Sequence, residues 1–372
     1  MADTADAIRA QLDDLSFCTR RFTNDKAVAL AKRLSELAPD PLSRVLFAPG
    51  GTASIGMALK LARYATGRHK TISMWDSFHG ASLDCISVGG EQIFRGQGIG
   101  PLMTGTSHVP PPDDYRVHES GFVDAMGSAR YIEYILEKEG DICAVIAEPV
   151  RWMPYVPPVE YWQHVRAACD KHGALLIMDE IPNSLGRTGS FFTFEKFNIV
   201  PDMVVLGKGL GGGVVPLSAL IAKEEFNEIA RTKALGHYTH EKSPVACAAA
   251  LATIDYIFDE GLMQNAATLG AYGLERMRLM MERQPLIGDV RGIGLLLGLE
   301  LVTCRKSKTR AFDEAERVMY ACLERGLSFK LTMGNIITLC PPLTITEEEL
   351  DRAFDIIEES IEFVSANPSS SY

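Results

Sequence analysis

Four separated segments of the chain carry residue types that could do chemistry, and in each of them a polar or glycine-rich stretch follows an apolar run. They are FAPGGTASIG (47–56), WDSFHG (75–80), LLIMDEIPNSLGRTG (175–189) and VVLGKGLGGGVVPLSALI (204–221). In α/β sheets, ligands usually bind beyond the carboxyl ends of the strands. The four segments are therefore candidates for parts of one binding site.

Lys208 stands among apolar and glycine residues, and no acidic residue is adjacent to it in the sequence. A lysine in a desolvated position is a competent amine for a Schiff base. The same segment has the spacing G-x-G-x-x-G at Gly207, Gly209 and Gly212, which is typical of dinucleotide-binding loops. Pro216 and a strand-like LSALI follow where such a loop needs a helix, so dinucleotide binding is not predicted.

Asp179 ends the apolar run LLIM, so its carboxylate is expected where a buried strand meets a cavity. An isolated carboxylate in such a place is costly, and Asp179 should therefore have a cationic partner. A pyridinium nitrogen is one such partner, and the pairing would hold that ring protonated. A salt bridge to Arg187 is the structural alternative.

The other two segments are less specific. The turn at Gly50, Gly51 and Thr52 would expose N–H groups at the start of a helix, where phosphate is favoured, but glycine pairs are also common in plain turns. Phe78 could stack on a flat aromatic ligand, and an ordinary core phenylalanine would look the same. His79 is interpreted as a packed loop histidine rather than a catalytic base.

The composition limits the classes of partner. The chain has 372 residues, 47% of them hydrophobic, and a formal net charge of -11 without a basic cluster, which argues against nucleic acid. No apolar stretch is long enough to span a bilayer, and the first residues lack the pattern of a secretory signal. The eight cysteines are scattered without metal-ligand spacing. We expect a cytoplasmic protein with reduced thiols and no metal site.

The elements that must position the four segments alternate between strand-like and helical patterns from about Arg44 to Leu220. This alternation predicts an α/β domain with a mostly parallel sheet wrapped by helices. After Pro244, two long helical stretches and shorter strands predict a smaller α+β domain. We expect a large domain over 25–262, a small C-terminal domain over 263–372, and an N-terminal remnant, 1–24, that packs with the small domain.

Taken together, the motifs resemble the class III (subgroup II, fold type I) aminotransferases, a family that includes 4-aminobutyrate aminotransferase and dialkylglycine decarboxylase. The resemblance runs from about Ala7 to Ser365 and rests on DEIPNSLGRTG and PDMVVLGKGLGGG. It implies pyridoxal 5'-phosphate as cofactor, and a small-molecule amine and a 2-oxo acid as substrates. By resemblance, Lys208 holds the cofactor as a Schiff base and moves the substrate proton, and Asp179 binds the pyridine nitrogen.

The resemblance also implies roles for further residues. Phe78 matches the aromatic residue that stacks on the cofactor, and Gly50, Gly51 and Thr52 match its phosphate cup. Thr239, in GHYTHEKSP, matches a threonine that reaches the phosphate of the neighbouring subunit. A homodimer or a dimer of dimers is therefore expected.

The chain departs from the family pattern at several places. The family begins with a longer N-terminal segment, so this chain is interpreted as a truncated form or a shortened paralogue, and Pro182 stands where a glutamine is common. Thr338, in NIITLCPPLTI, replaces an arginine that binds the substrate carboxylate. Glu148 therefore lacks its usual partner. Arg151 is a candidate replacement cation, and a surface arginine is the equally weighted alternative.

We therefore expect a PLP-dependent aminotransferase that moves an amino group from a primary amine or ω-amino compound to a 2-oxo acid. A PLP-dependent lyase or decarboxylase is the alternative, because the same carbanion can eliminate or take up a proton differently. A paralogue that binds the cofactor with little catalysis is a third interpretation, against which the intact Lys208 and Asp179 argue.

Overall fold

Two separate β-sheets organise the protein. The computed structural model describes residues 2–96, 98–117 and 123–367. The first sheet consists of β1 (Leu42–Ala48), β2 (Lys70–Met74), β3 (Thr106–Val109), β4 (Ile142–Ala147), β5 (Leu175–Asp179), β6 (Met203–Leu206) and β7 (Ser218–Lys223). The second consists of β8 (Ile287–Ile293), β9 (Leu296–Cys304), β10 (Thr309–Arg310), β11 (Lys330–Thr332) and β12 (Ile336–Leu339).

The helices connect and cover these sheets. They are α1 (Ala2–Asp14), α2 (Asp25–Leu37), α3 (Gly51–Thr66), α4 (Leu83–Val88), α5 (Gln92–Arg95), α6 (Ala125–Glu139), α7 (Val159–His172), α8 (Asn227–Thr232), α9 (Pro244–Asp259), α10 (Leu262–Arg283), α11 (Phe312–Glu324) and α12 (Glu347–Ala366). Across the described ranges, no helix combines the length and the apolar character needed to cross a lipid bilayer.

The first sheet has the strand order β1-β7-β6-β5-β4-β2-β3. Only β7 runs antiparallel to its neighbours, so the other six strands point the same way. Every residue of β4 and of β6 is buried, as expected for parallel strands covered on both faces. The predicted α/β class with a mostly parallel sheet is confirmed, and the loops after β1, β2, β4, β5 and β6 lie at one edge of the sheet.

The second sheet has its own apolar core. Side chains of β8, β9 and β12 pack there with α10, α11 and α12. Thr346 and Glu349 form a capping box at the start of α12. Leu262 belongs to the core of the first sheet, whereas Ala266 belongs to that of the second. The cores therefore change within the first turns of α10, and the domain boundary between 262 and 263 stays a prediction.

The N-terminal helix lies elsewhere than expected. α1 packs along α9, where Thr4 Oγ1 is 3.3 Å from Thr253 Oγ1. A Cβ atom on Gly212 would lie 2.7 Å from Thr4 Cγ2, so α1 also covers the turn that follows Lys208. This contact with the larger domain corrects the expectation that residues 1–24 pack with the small domain. The alanine-rich surface of α9 allows a second helix to approach closely, which accounts for the difference.

Candidate active site

The N-terminus of α3 forms one wall of the candidate site. Gly50 caps this helix without a side-chain hydrogen bond, which leaves the first N–H groups available to a ligand. A Cβ on Gly51 would lie 2.5 Å from Ile181 Cδ1, and one on Gly207 would lie 3.2 Å from Ile181 Cγ2. Ile181 therefore holds the predicted phosphate cup beside the turn that carries Lys208.

Asp179, the last residue of β5, is 1% exposed, and both of its carboxylate oxygens accept hydrogen bonds. His79 Nδ1 lies 2.8 Å from Oδ2, and the N–H of Ile181 lies 3.2 Å from Oδ1. Because a carboxylate only accepts, His79 Nδ1 carries the proton in this bond. The orientation of Asp179 is thus set by groups on two different strand-end loops.

Arg187 is not the partner of Asp179. Its Nη1 donates to the carbonyl oxygens of Leu295 at 3.1 Å and Pro341 at 2.6 Å. The structural alternative from the sequence is therefore wrong, because Arg187 instead ties the first sheet's domain to segments around the second sheet. The buried charge of Asp179 remains available to a cationic ring nitrogen.

His79 is packed, as interpreted from the sequence, but its contact with Asp179 makes it a functional candidate that the sequence did not predict. Its side chain is buried, and its Nε2 lies 3.4 Å from Ser73 Oγ, on the ring edge away from Asp179. Gly80 follows with φ 126°, and a Cβ there would collide with the Thr52 side chain. The segment WDSFHG therefore connects Asp179 with the phosphate cup. The signal in the sequence that could have identified His79 is the neighbouring Phe78.

Lys208 follows β6 and adopts φ 43°, a left-handed conformation that is uncommon for residues with a side chain. Its Nζ lies 5.8 Å from the centre of the Trp152 ring, in the loop after β4. The side chain is exposed rather than enclosed by apolar residues, contrary to the desolvated position expected from the sequence. Of the two residues that follow Lys208, Gly209 is exposed and Leu210 is buried.

Phe78 and Thr239 are both exposed in the single chain. Phe78 is 37% exposed, and its ring centre lies 4.8 Å from that of Phe94. Thr239 lies in a turn whose Glu241 pairs with Arg20 at 3.1 Å. Stacking by Phe78 and service of a neighbouring subunit by Thr239 stay predictions.

The loop after β4 carries a buried ion pair. Arg151 is 3% exposed and Glu148 5% exposed, and Arg151 Nη1 lies 2.9 Å from Glu148 Oε2. The alternative of a surface arginine is therefore wrong. Glu148 has a partner after all, three residues along the chain, and the positive charge of Arg151 is largely matched by it.

Thr338 is buried on β12 and its Oγ1 lies 2.7 Å from Thr332 Oγ1 on β11. A hydroxyl pair of this kind offers no full charge to an anion. The side chain of Thr338 therefore cannot bind a substrate carboxylate through charged hydrogen bonds, as an arginine would.

Together these groups fit pyridoxal phosphate. Three features lie at one edge of the sheet: a helix start where a Cβ on Gly51 would collide with Ile181, a buried carboxylate with no lysine or arginine partner among the described residues, and a lysine at the next strand end. They would hold, respectively, the phosphate, the ring nitrogen and the aldehyde carbon. The individual roles of Gly50, Gly51, Thr52, Asp179 and Lys208 stay predictions.

Comparison with known proteins agrees with this fit. Residues 3–361 match the family model of class III aminotransferases. The chain is 50% identical over 371 residues to the (R)-1-hydroxy-2-aminoethylphosphonate ammonia-lyase of Vibrio splendidus, with 95% of this chain and 77% of that protein covered. It is 36% identical over 343 residues to the leucine/methionine racemase of Thermococcus litoralis, with 89% and 76% covered.

A solved structure has the same fold. The PLP-bound amine transaminase from an uncultivated Pseudomonas species superposes with a TM-score of 0.91 at 31% identity, and 98% of this chain and 87% of that chain are covered. The resemblance to a fold type I transaminase that the sequence indicated is confirmed at this level.

Proposed function

Because this chain belongs to the class III aminotransferase family and uses pyridoxal phosphate, we propose that it is a PLP-dependent ammonia-lyase acting on a 2-amino-1-hydroxy phosphonate. The observation that carries the proposal is the 50% identity to an ammonia-lyase across nearly the whole chain, against 36% to a racemase of the same family. The chemistry of the candidate site supports it.

The proposed reaction needs no second substrate besides water. When bound, pyridoxal phosphate withdraws electrons from the carbon that bears the substrate amine. Lys208 would take the proton from that carbon and pass it to the hydroxyl of the adjacent carbon, which leaves as water while the two carbons form a double bond. Hydrolysis of the resulting enamine gives ammonia and an aldehyde that keeps the phosphonate. Water is released and then consumed, so the balance requires no oxidant and no 2-oxo acid.

The residues of this chain divide the work. Asp179, oriented by His79 and by the N–H of Ile181, keeps a negative charge against the ring nitrogen and so favours loss of the proton. The start of α3 holds the cofactor phosphate. The exposed amine of Lys208 follows Gly207, which packs against Ile181, and lies 5.8 Å from the centre of the Trp152 ring; from there it would reach the cofactor and the substrate carbon.

Thr338 also favours elimination over amino transfer. A transaminase site must bind the carboxylate of a 2-oxo acid in each cycle, and two charged hydrogen bonds of about 1.5–3 kcal/mol each support that binding when an arginine is present. The Thr338 hydroxyl is already engaged with Thr332. A lyase has no such acceptor to bind.

Amino transfer from a primary amine to a 2-oxo acid is the second candidate. The similarity to a PLP-bound amine transaminase supports it, as does the family itself. In either case we propose a dimer in which the exposed Thr239 reaches the cofactor phosphate of the neighbouring subunit.

One assay separates the two candidates. The PLP-loaded enzyme is incubated with (R)-1-hydroxy-2-aminoethylphosphonate, and ammonia is measured with and without pyruvate or 2-oxoglutarate. We expect one ammonia per substrate consumed, independent of any 2-oxo acid. Formation of alanine or glutamate in proportion to substrate, without free ammonia, would favour the transaminase instead.

A further inference from the structure

One face of the β11–β12 pair carries three polar side chains, those of Lys330, Thr332 and Thr338. Lys330 lies opposite Thr338 in this antiparallel pair, and Thr332 lies opposite Ile336. Directly opposite residues project from the same face of a sheet, and so do residues two apart along a strand. Lys330, Thr332 and Thr338 therefore share a face, and the 2.7 Å contact between the two threonine hydroxyls agrees with this.

This face is turned towards the loop that holds Arg151. Gly298 on β9 lies opposite Thr338, and a Cβ there would lie 2.7 Å from Pro154 Cδ. Ile336, on the same face, packs with Met153 and Tyr155. The intervening side chains of β12, Ile337 and Leu339, point to the core of the second domain instead.

Of two cationic side chains near this face, one has a carboxylate partner and the other has none among the described residues. Arg151 is paired with Glu148, although its buried Nε has no hydrogen-bond partner among the described residues. Lys330 is exposed and forms no salt bridge with any described residue. Burial raises the pKa of the Glu91 carboxyl, and the charges of Arg151 and Lys330 act on it in the opposite direction. Both cations therefore lie within electrostatic reach of one carboxyl group.

We propose that Lys330 binds the phosphonate group of the substrate, at the exposed end of the sheet face that also carries the buried Thr338. This inference rests on the proposed function and names the residue that selects its substrate. Thr338 carries no charge, so an anion at the exposed end of this face meets the ammonium group of Lys330 instead. A lysine ammonium acts as a compact charge and binds phosphate-like groups well. Arg151, fixed by Glu148, forms the wall of this subsite.

The first test compares substrates with and without the phosphonate. Lys330→Met should lower kcat/KM for (R)-1-hydroxy-2-aminoethylphosphonate by about tenfold to a hundredfold, the range of one charge-assisted hydrogen bond. Slow turnover of 1-amino-2-propanol, which has the same amine and hydroxyl but no phosphonate, should not change. Lys330→Arg should keep most of the activity. Lys306→Met is the matched control, because Lys306 is an exposed lysine of the same domain in the turn before β10.

A binding measurement separates this inference from the reaction itself. Isothermal titration of ethylphosphonate into the PLP-loaded enzyme should give a dissociation constant that rises about tenfold or more in Lys330→Met but not in Lys306→Met. If the enzyme releases no ammonia yet shows this pattern, the lyase proposal fails and the anion site stands. Equal binding by Lys330→Met and the native enzyme, equal losses in both variants, or no binding to the native enzyme would overturn the role of Lys330.

Discussion

Replacing Asp179 with asparagine isolates the effect of one negative charge. The side chain is 1% exposed and bonded through both oxygens, so the isosteric amide can keep its place. Its oxygen would accept from the N–H of Ile181, and its NH2 group would donate to His79 in the other tautomer. What disappears is the charge opposite the ring nitrogen. A charge-assisted hydrogen bond contributes about 1.5–3 kcal/mol, so the rate of proton abstraction should fall by one to two orders of magnitude.

The assay must distinguish the chemical step from cofactor binding. PLP occupancy is read from the visible absorbance of the lysine-bound cofactor, and single-turnover ammonia release gives the rate. We expect Asp179→Asn to retain the cofactor and to react slowly. Asp202→Asn is the control, because Asp202 is a buried carboxylate just before β6, at the end of that strand away from Lys208, and pairs with Arg166 at 2.7 Å. It should lower the melting temperature without changing the single-turnover rate.

Two results would refute this reasoning. Turnover of Asp179→Asn within about threefold of the native enzyme would remove the charge from the mechanism, since a lost charged bond exceeds that factor. A similar loss of rate in Asp202→Asn would mean that the rate reports general loosening of the sheet rather than the electronics of the cofactor.

Two further predictions concern the cofactor site. Borohydride reduction followed by peptide mapping should place the pyridoxyl group on Lys208, and its recovery on Lys242 or Lys330 would contradict the assignment. Gly51→Ala should weaken PLP binding by about tenfold in an absorbance titration, because the new methyl group would overlap Ile181 Cδ1. Adding Ile181→Val removes that atom and should restore binding; a double variant as weak as Gly51→Ala would show that the contact is not the cause.

Local patterns were sufficient to predict the parallel sheet and the places of Asp179 and Lys208 within it. Each of these residues follows an apolar strand in the sequence, and the carboxyl ends of parallel strands meet at one edge. The start of α12 could also be predicted, because the two residues of its capping box, Thr346 and Glu349, are only three positions apart in the sequence.

Contacts between distant segments could not be predicted in this way. His79 and Asp179 are 100 residues apart, and no local pattern links an imidazole to one particular carboxylate. Arg151 was weighed as a surface residue because loops are usually exposed, whereas Glu148 neutralises it within the protein. The docking of α1 on α9 likewise depends on surface shape, which a sequence of small and polar residues does not specify.

The residues proposed to act on the amine-bearing carbon are different from those proposed to hold the rest of the substrate. This division affects how the reaction of such a site can change. In the proposed function, Asp179, His79 and Lys208 act on the carbon that bears the amine, and proton loss there precedes elimination and amino transfer alike. The outcome then depends on which group leaves the next carbon and on what holds the far end of the substrate. By our proposal the far end faces β11 and β12, where Thr338 meets Thr332 and Lys330 remains without an ion pair among the described residues. If Lys330 binds the phosphonate as proposed, the side chains at 330 and 338 select the anionic group of the substrate while the chemistry at the amine-bearing carbon stays the same.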